Sequence, residues 1–113
     1  MIRAFKEKQF AKRVSRRLLK SLSVISGKKP EMTGKALYRE ALLHSRQVDS
    51  SNVDLVLEQA ENSIDLWTTS TVEGLKFRHV VHFVVMEKYR ADGHAGSVVS
   101  FREVVYSLIP ADL

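Results

Sequence analysis

The strongest constraint on folding is a leading segment that is apolar along one side and cationic along the other. Placed at about 100° per residue, residues 2–25 bring Phe10, Ala11, Val14, Leu18 and Leu22 onto one stripe, with Ile25 in line. Lys6, Lys12, Arg13, Arg16, Arg17 and Lys20 fall on the opposite side. The spacing predicts a basic amphipathic helix. Residues 26–30 should end it, because Gly27 can adopt a left-handed cap and Pro30 cannot continue the hydrogen-bond ladder.

The charge is concentrated there. Ten of the first 30 residues are Lys or Arg and one, Glu7, is acidic, whereas the remaining 83 hold eight basic and twelve acidic residues. The net +5 is therefore a +9 segment joined to a −4 body. An acidic helical body with a basic leading helix is the expected organisation. Residues 1–29 form that helix, either docked or free as an arm, and residues 30–113 form the body of one domain.

Downstream periodicities predict further helices. Thr33 can cap a second, running to about Arg46, with Leu37, Ala41, His44 and Val48 on one line and Tyr38 and Leu42 beside it. Ser51 and Asp54 resemble a capping box ahead of Val53, Val56, Leu57, Ala60 and Ile64, the cleanest helical spacing in the chain. Residues 67–70 break that pattern, and Ser70 with Glu73 offers another box. Residues 73–91 read as a helix with Leu75, Phe77, Val80, Val81, Val84 and Val85 on one face; a strand at 80–85 is the alternative that the β-branched run suggests. After a glycine-containing loop at 92–96, Ser97 can cap a last helix aligning Val98, Phe101, Val105 and Leu108, stopped by Pro110. The expected fold is all-α, a small bundle of about five helices.

Several function classes lose support from composition and motif. With no cysteine there is no disulfide framework, thiolate metal site or cysteine nucleophile. No run approaches the roughly 18 apolar residues of a membrane span, and cations interrupt any signal-peptide core, which makes the cytoplasm the expected compartment. The Ser26-Gly27-Lys28-Lys29 stretch lacks the spaced glycines of a phosphate loop. No serine lies in a nucleophile-elbow context, so no catalytic residue and no cofactor is expected.

Two features invite a closer look. His79 and His82 are three apart on the fourth helix, close enough to share a face, but they match no familiar helical metal spacing and need a third ligand. They are expected on the less buried side of that helix, with no metal. A small metal-dependent or acid–base enzyme using this pair is the alternative function. Phe83 and Met86 lie near the same side, so this helix is apolar on both sides: either it is fully buried, the favoured reading, or His79, His82, Phe83 and Met86 form a candidate second contact surface, with a twofold homodimer as the first partner to consider.

The leading expectation is a non-enzymatic binding or accessory module that meets an anionic partner through Lys6, Lys12, Arg13, Arg16, Arg17 and Lys20. Nucleic acid, an anionic membrane surface and an acidic protein all suit that face. A helix-turn-helix reader does not, because Asp54, Glu58 and Glu61 would repel phosphates from the helix that follows the turn. The Arg-rich, acid-poor start also resembles a mitochondrial transit peptide. With it, Leu37-Tyr38-Arg39 resembles the tripeptide that names the LYR family of small helical mitochondrial assembly factors. That resemblance covers the tripeptide and its basic helical surroundings, and implies mitochondrial assembly as an alternative role. The family carries the motif near its start with a downstream phenylalanine; here it begins at residue 37 and the nearest downstream phenylalanine is Phe77.

Overall fold

A computed structural model describes the backbone of residues 2–67, 77–91, 104, 105, 107 and 108, with side chains from residue 7 to 62 and in the later segments. Their regular secondary structure is all α-helical. Four helices are delimited: α1 (Ile2–Lys28), α2 (Gly34–Ser45), α3 (Val53–Trp67) and α4 (Phe77–Ala91). Residues 104, 105, 107 and 108 are helical too, with Val104 and Val105 buried. The rest of the expected fifth helix, the Ser70–Glu73 box and the loop at 92–96 lie outside the described residues.

The helix α1 forms because its apolar positions repeat with the helical period, and it runs through Gly27 to Lys28 before the chain turns. The Lys29 N–H still donates to the Ile25 carbonyl (2.8 Å), and the Met32 N–H closes a turn on Lys29 (3.0 Å). Thr33 occupies the N-cap of α2 in extended conformation, but its side chain makes no cap hydrogen bond. Arg46 ends α2 in the left-handed region (φ 58°), a conformation that normally favours glycine. The Ser45 hydroxyl supports this ending by donating to the Leu42 carbonyl (2.7 Å) and accepting from the Gln47 N–H (3.2 Å).

At α3 the expected Ser51–Asp54 box gives way to a tertiary contact. The Asn52 carbonyl accepts from the Val56 N–H (2.9 Å), and Arg39 of α2 takes the Asp54 carboxylate through two guanidinium nitrogens (2.9 and 3.5 Å). The bond to Arg39 holds Asp54 below its ordinary carboxyl pKa. The strand alternative at 80–85 is overturned: α4 is helical throughout, burying Val80, Val81, Val84 and Val85 together.

Packing closes a ring in which α1 meets α2, α2 meets α3, α3 meets α4 and α4 meets α1. Lys35 at the start of α2 pairs with Glu61 late in α3 (2.9 Å), and Arg39 pairs with Asp54 near the start of α3, so those helices are antiparallel. The start of α1 lies against the end of α4, where Phe10 meets the Tyr89 ring edge-on at 5.5 Å. One core results, and Ala11, Val14, Leu18 and Leu22 of α1 belong to it. At about 1.5 Å per residue the 27 residues of α1 reach roughly 40 Å, close to the molecule's 44 Å long axis. The leading helix is thus a docked spine rather than a detached arm.

Leu18 is fully buried in this spine. Leu18→Ala should cost about 2–5 kcal/mol through lost transfer energy and the residual cavity. Urea denaturation checks this; a loss well below 1 kcal/mol would show that α1 does not dock as described.

Candidate functional site

The exposed side of α1 gathers the candidate binding residues. Taking Glu7 as zero and about 100° per residue, Lys8 lies near 100°, Lys12 near 140°, Arg16 near 180°, Lys20 near 220°, Arg13 near 240° and Arg17 near 280°. The buried residues of α1 centre on the other side, Leu18 near 20° and Val14 near 340° by the same roughly 100° step. Lys8, Arg13, Arg16, Arg17 and Lys20 are exposed and Lys12 is half-buried. Lys6 shares the helix, but its side chain lies outside the described set. Lys8 completes the band, and its place on the flank follows from the helical period alone.

Electrostatically this face is one-signed. Among the described residues none of these six cations meets a carboxylate; the ion pairs join Lys35 to Glu61, Arg39 to Asp54 and Arg90 to Glu87. Arg13 instead places its guanidinium 6.0 Å from the Phe10 ring centroid, a cation–π approach. Lys8, Lys12, Arg16 and Lys20 form an unbroken i,i+4 ladder, and Arg13–Arg17 adds a parallel rung. Like charges at that spacing typically destabilise a helix by about 0.2–0.5 kcal/mol per pair. No acid occupies the first turn of α1 to balance its dipole.

Beneath this face lies a buried clasp that composition concealed. Glu7, the lone acid of the segment, is 1% exposed and accepts a hydrogen bond from the Tyr89 hydroxyl of α4 (3.1 Å). On the α2 side the His44 ring Nδ1 lies 3.0 Å from the Ser21 hydroxyl, a second polar tie to the spine. Glu7 sits near the centre of the apolar stripe, a signal that the helical wheel contains but residue type obscures.

His79 and His82 correct the sequence expectation. Both are 0% exposed, so they lie within the bundle and not on the less buried side of α4. Among the described residues no three His, Asp or Glu side chains converge as a metal site. Phe83 and Met86 are half-buried and pack against the core. Phe83 also floors an open cleft of about 390 Å³ with Val48, Val56 and Val84, rimmed by Asp49 and Glu87. The four residues proposed as one contact surface therefore do not form one exposed patch.

The Leu37-Tyr38-Arg39 tripeptide is taken up by packing. Leu37 is half-buried against the core, Tyr38 is buried with its ring 5.1 Å from that of Phe77, and Arg39 holds Asp54. Compared with known proteins, the chain matches no protein family, no characterised sequence and no solved structure. No helix among the described residues is long and apolar enough to cross a membrane.

The clasp and the tripeptide each yield a measurable consequence. Removing the donor with Tyr89→Phe leaves Glu7 short of a buried hydrogen bond and should cost about 1–3 kcal/mol in denaturant titration. A neutral substitution would show that the contact contributes nothing net. Burial raises the Tyr38 phenol pKa, partly offset by a backbone hydrogen bond at Phe77. The unfolded chain then ionises first, so stability present below pH 10.0 should fall as pH rises above it. Tyr38→Phe should flatten that alkaline fall in denaturation series, and identical slopes would refute the assignment.

Proposed function

We propose that this protein is a non-enzymatic binding module that docks on a phosphate-bearing polyanion through the cationic face of α1. The observation that carries this is the pairing of burial with charge on a single helix. The apolar stripe is committed to the core, while five exposed cations and half-buried Lys12 meet no acid among the described residues.

Docking of the stripe discriminates among anionic partners. An interfacial membrane helix, or a helix laid into a protein groove, needs its apolar side free. In α1 that side is occupied by α2 and α4. Between Lys8 and Ser23 the exposed positions are Lys8, Gln9, Arg13, Arg16, Arg17, Lys20 and Ser23, with no aromatic or aliphatic anchor among them. Hot spots of protein interfaces combine buried aromatic anchors with Arg, and this face offers Arg without an aromatic, whereas polyanion binding needs only matched charge and released counterions. The exposed large apolar side chain of the described set, Leu55, is on α3.

Relief of repulsion favours the same reading. A phosphate array facing the Lys8–Lys20 ladder replaces like-charge contacts with attraction. Retention on phosphocellulose over a salt gradient tests it. Wild-type protein should bind at low salt and elute as salt rises, while Arg13/Arg16/Arg17→Glu should pass through. The same charge reversal at Lys35, Arg46 and Arg90 should retain more than the α1 variant. Flow-through of the wild type, or equal losses in the two variants, would reject the assignment of α1.

A further inference from the structure

We infer that the polyanion is a B-form DNA duplex, met by the exposed half of α1 along its major groove with cations reaching both walls. This rests on the polyanion reading above and narrows its partner. The cations do not form a single line. Arg16 and Lys20 lie on the crest, Lys8 and Lys12 on one flank, and Arg13 and Arg17 on the other, an arc of roughly 180° at 100° per residue.

A flat surface meets the crest and leaves the flanks at an angle to it. A groove with charged walls engages crest and flanks together. The B-form major groove is about 12 Å wide, enough to admit an α-helix of about 10–12 Å with its side chains. From Lys8 to Lys20 the cations extend about 18 Å at 1.5 Å per residue, and each strand presents a phosphate about every 3.4 Å of helix axis. Several phosphates on each wall therefore fall within reach of one rigid spine.

The same surface disfavours other nucleic acids. Single strands are held by aromatic platforms on which bases stack. The aromatic among the described side chains of α1, Phe10, is half-buried and meets the Tyr89 ring edge-on, and no exposed position of α1 between Lys8 and Ser23 carries another. The A-form RNA major groove is too deep and narrow for side chains to read, so a helix loses the two-wall fit there. Two acids of α3, Asp54 and Glu61, are paired to Arg39 and Lys35 on α2. The flank cations run to phosphates, which position the helix without reading sequence, while Arg16 and Lys20 on the crest face the groove floor, where Arg and Lys favour guanine edges.

The experiment is fluorescence anisotropy over a salt series on four probes. These are a short mixed-sequence DNA duplex, one of its strands, the matching RNA duplex, and vesicles of phosphatidylserine and phosphatidylcholine. Duplex DNA should bind most tightly, with log K falling linearly in log salt. The variants Lys8→Gln/Lys12→Gln and Arg13→Gln/Arg17→Gln each remove two flank charges and leave the core untouched. Each should flatten the slope by about 1.8, from roughly 0.9 per phosphate contact. Circular dichroism melting confirms that both remain folded. Single strand, RNA duplex or vesicle binding as tight as duplex DNA would overturn the inference, as would one flank pair leaving the slope unchanged. Retention on phosphocellulose with no duplex preference would leave the polyanion reading standing; absence of both would end both.

Discussion

The burial of α1's apolar stripe is the interaction on which the rest of the structure depends. Ala11, Val14, Leu18, Leu22 and Ile25 are buried together, and α2 and α4 both pack on this one helix. Each fully buried aliphatic side chain contributes about 1.5–3 kcal/mol of transfer energy, whereas each like-charge i,i+4 pair costs a few tenths. The comparison explains how a helix with so unfavourable a surface persists. Hydrophobic docking outweighs the repulsion and holds the cations in a fixed arrangement. Charge density that would shorten an isolated helix becomes tolerable on a docked one.

Polar contacts refine that docking rather than drive it. The hydrogen bond from Tyr89 to Glu7 joins the start of α1 to the end of α4, and the Ser21–His44 contact joins its later half to α2. A buried carboxylate is costly unless its oxygens are hydrogen-bonded, so Glu7 tolerates few alternative placements of its neighbour. The apolar stripe would accept some sliding of α1 along the bundle; a directed hydrogen bond near its start resists it. The clasp thus adds a directional contact to the hydrophobic docking that holds the cations in place.

Helical periodicity made much of this legible in the sequence, and nonlocal partners account for the rest. The α1 stripe, the α3 spacing at Val53, Leu57 and Ala60, and the valine face of α4 repeat with the helical period, and the structure buries all three. The Ser51–Asp54 box was misleading because local spacing cannot reveal that Arg39, fifteen residues away, takes the Asp54 carboxylate. Glu7 entered the sequence reading only as a charge, and His79 and His82 were placed on the less buried side of α4, opposite its valine face. Their burial comes from facing other helices, information held in the packing and not in the neighbouring residues. For the cationic face, Lys12, Arg13, Arg16, Arg17 and Lys20 were readable from the wheel, but whether their helix was docked or detached was not.

A solvated helix surface alone would also place cations opposite an apolar stripe, so the charge pattern must be judged against the rest of the molecule. Elsewhere among the described residues opposite charges meet: Lys35 faces Glu61, Arg39 faces Asp54 and Arg90 faces Glu87. Solubility is met by such mixed charge, with opposite signs interspersed. Along α1 the pattern changes abruptly to one sign, in a ladder of like charges that costs stability. Glu7, the one acid of that segment, is drawn inside, where it accepts a hydrogen bond from Tyr89. The proposed anionic partner would offset that cost, because phosphates facing the ladder replace repulsion between neighbouring cations with attraction.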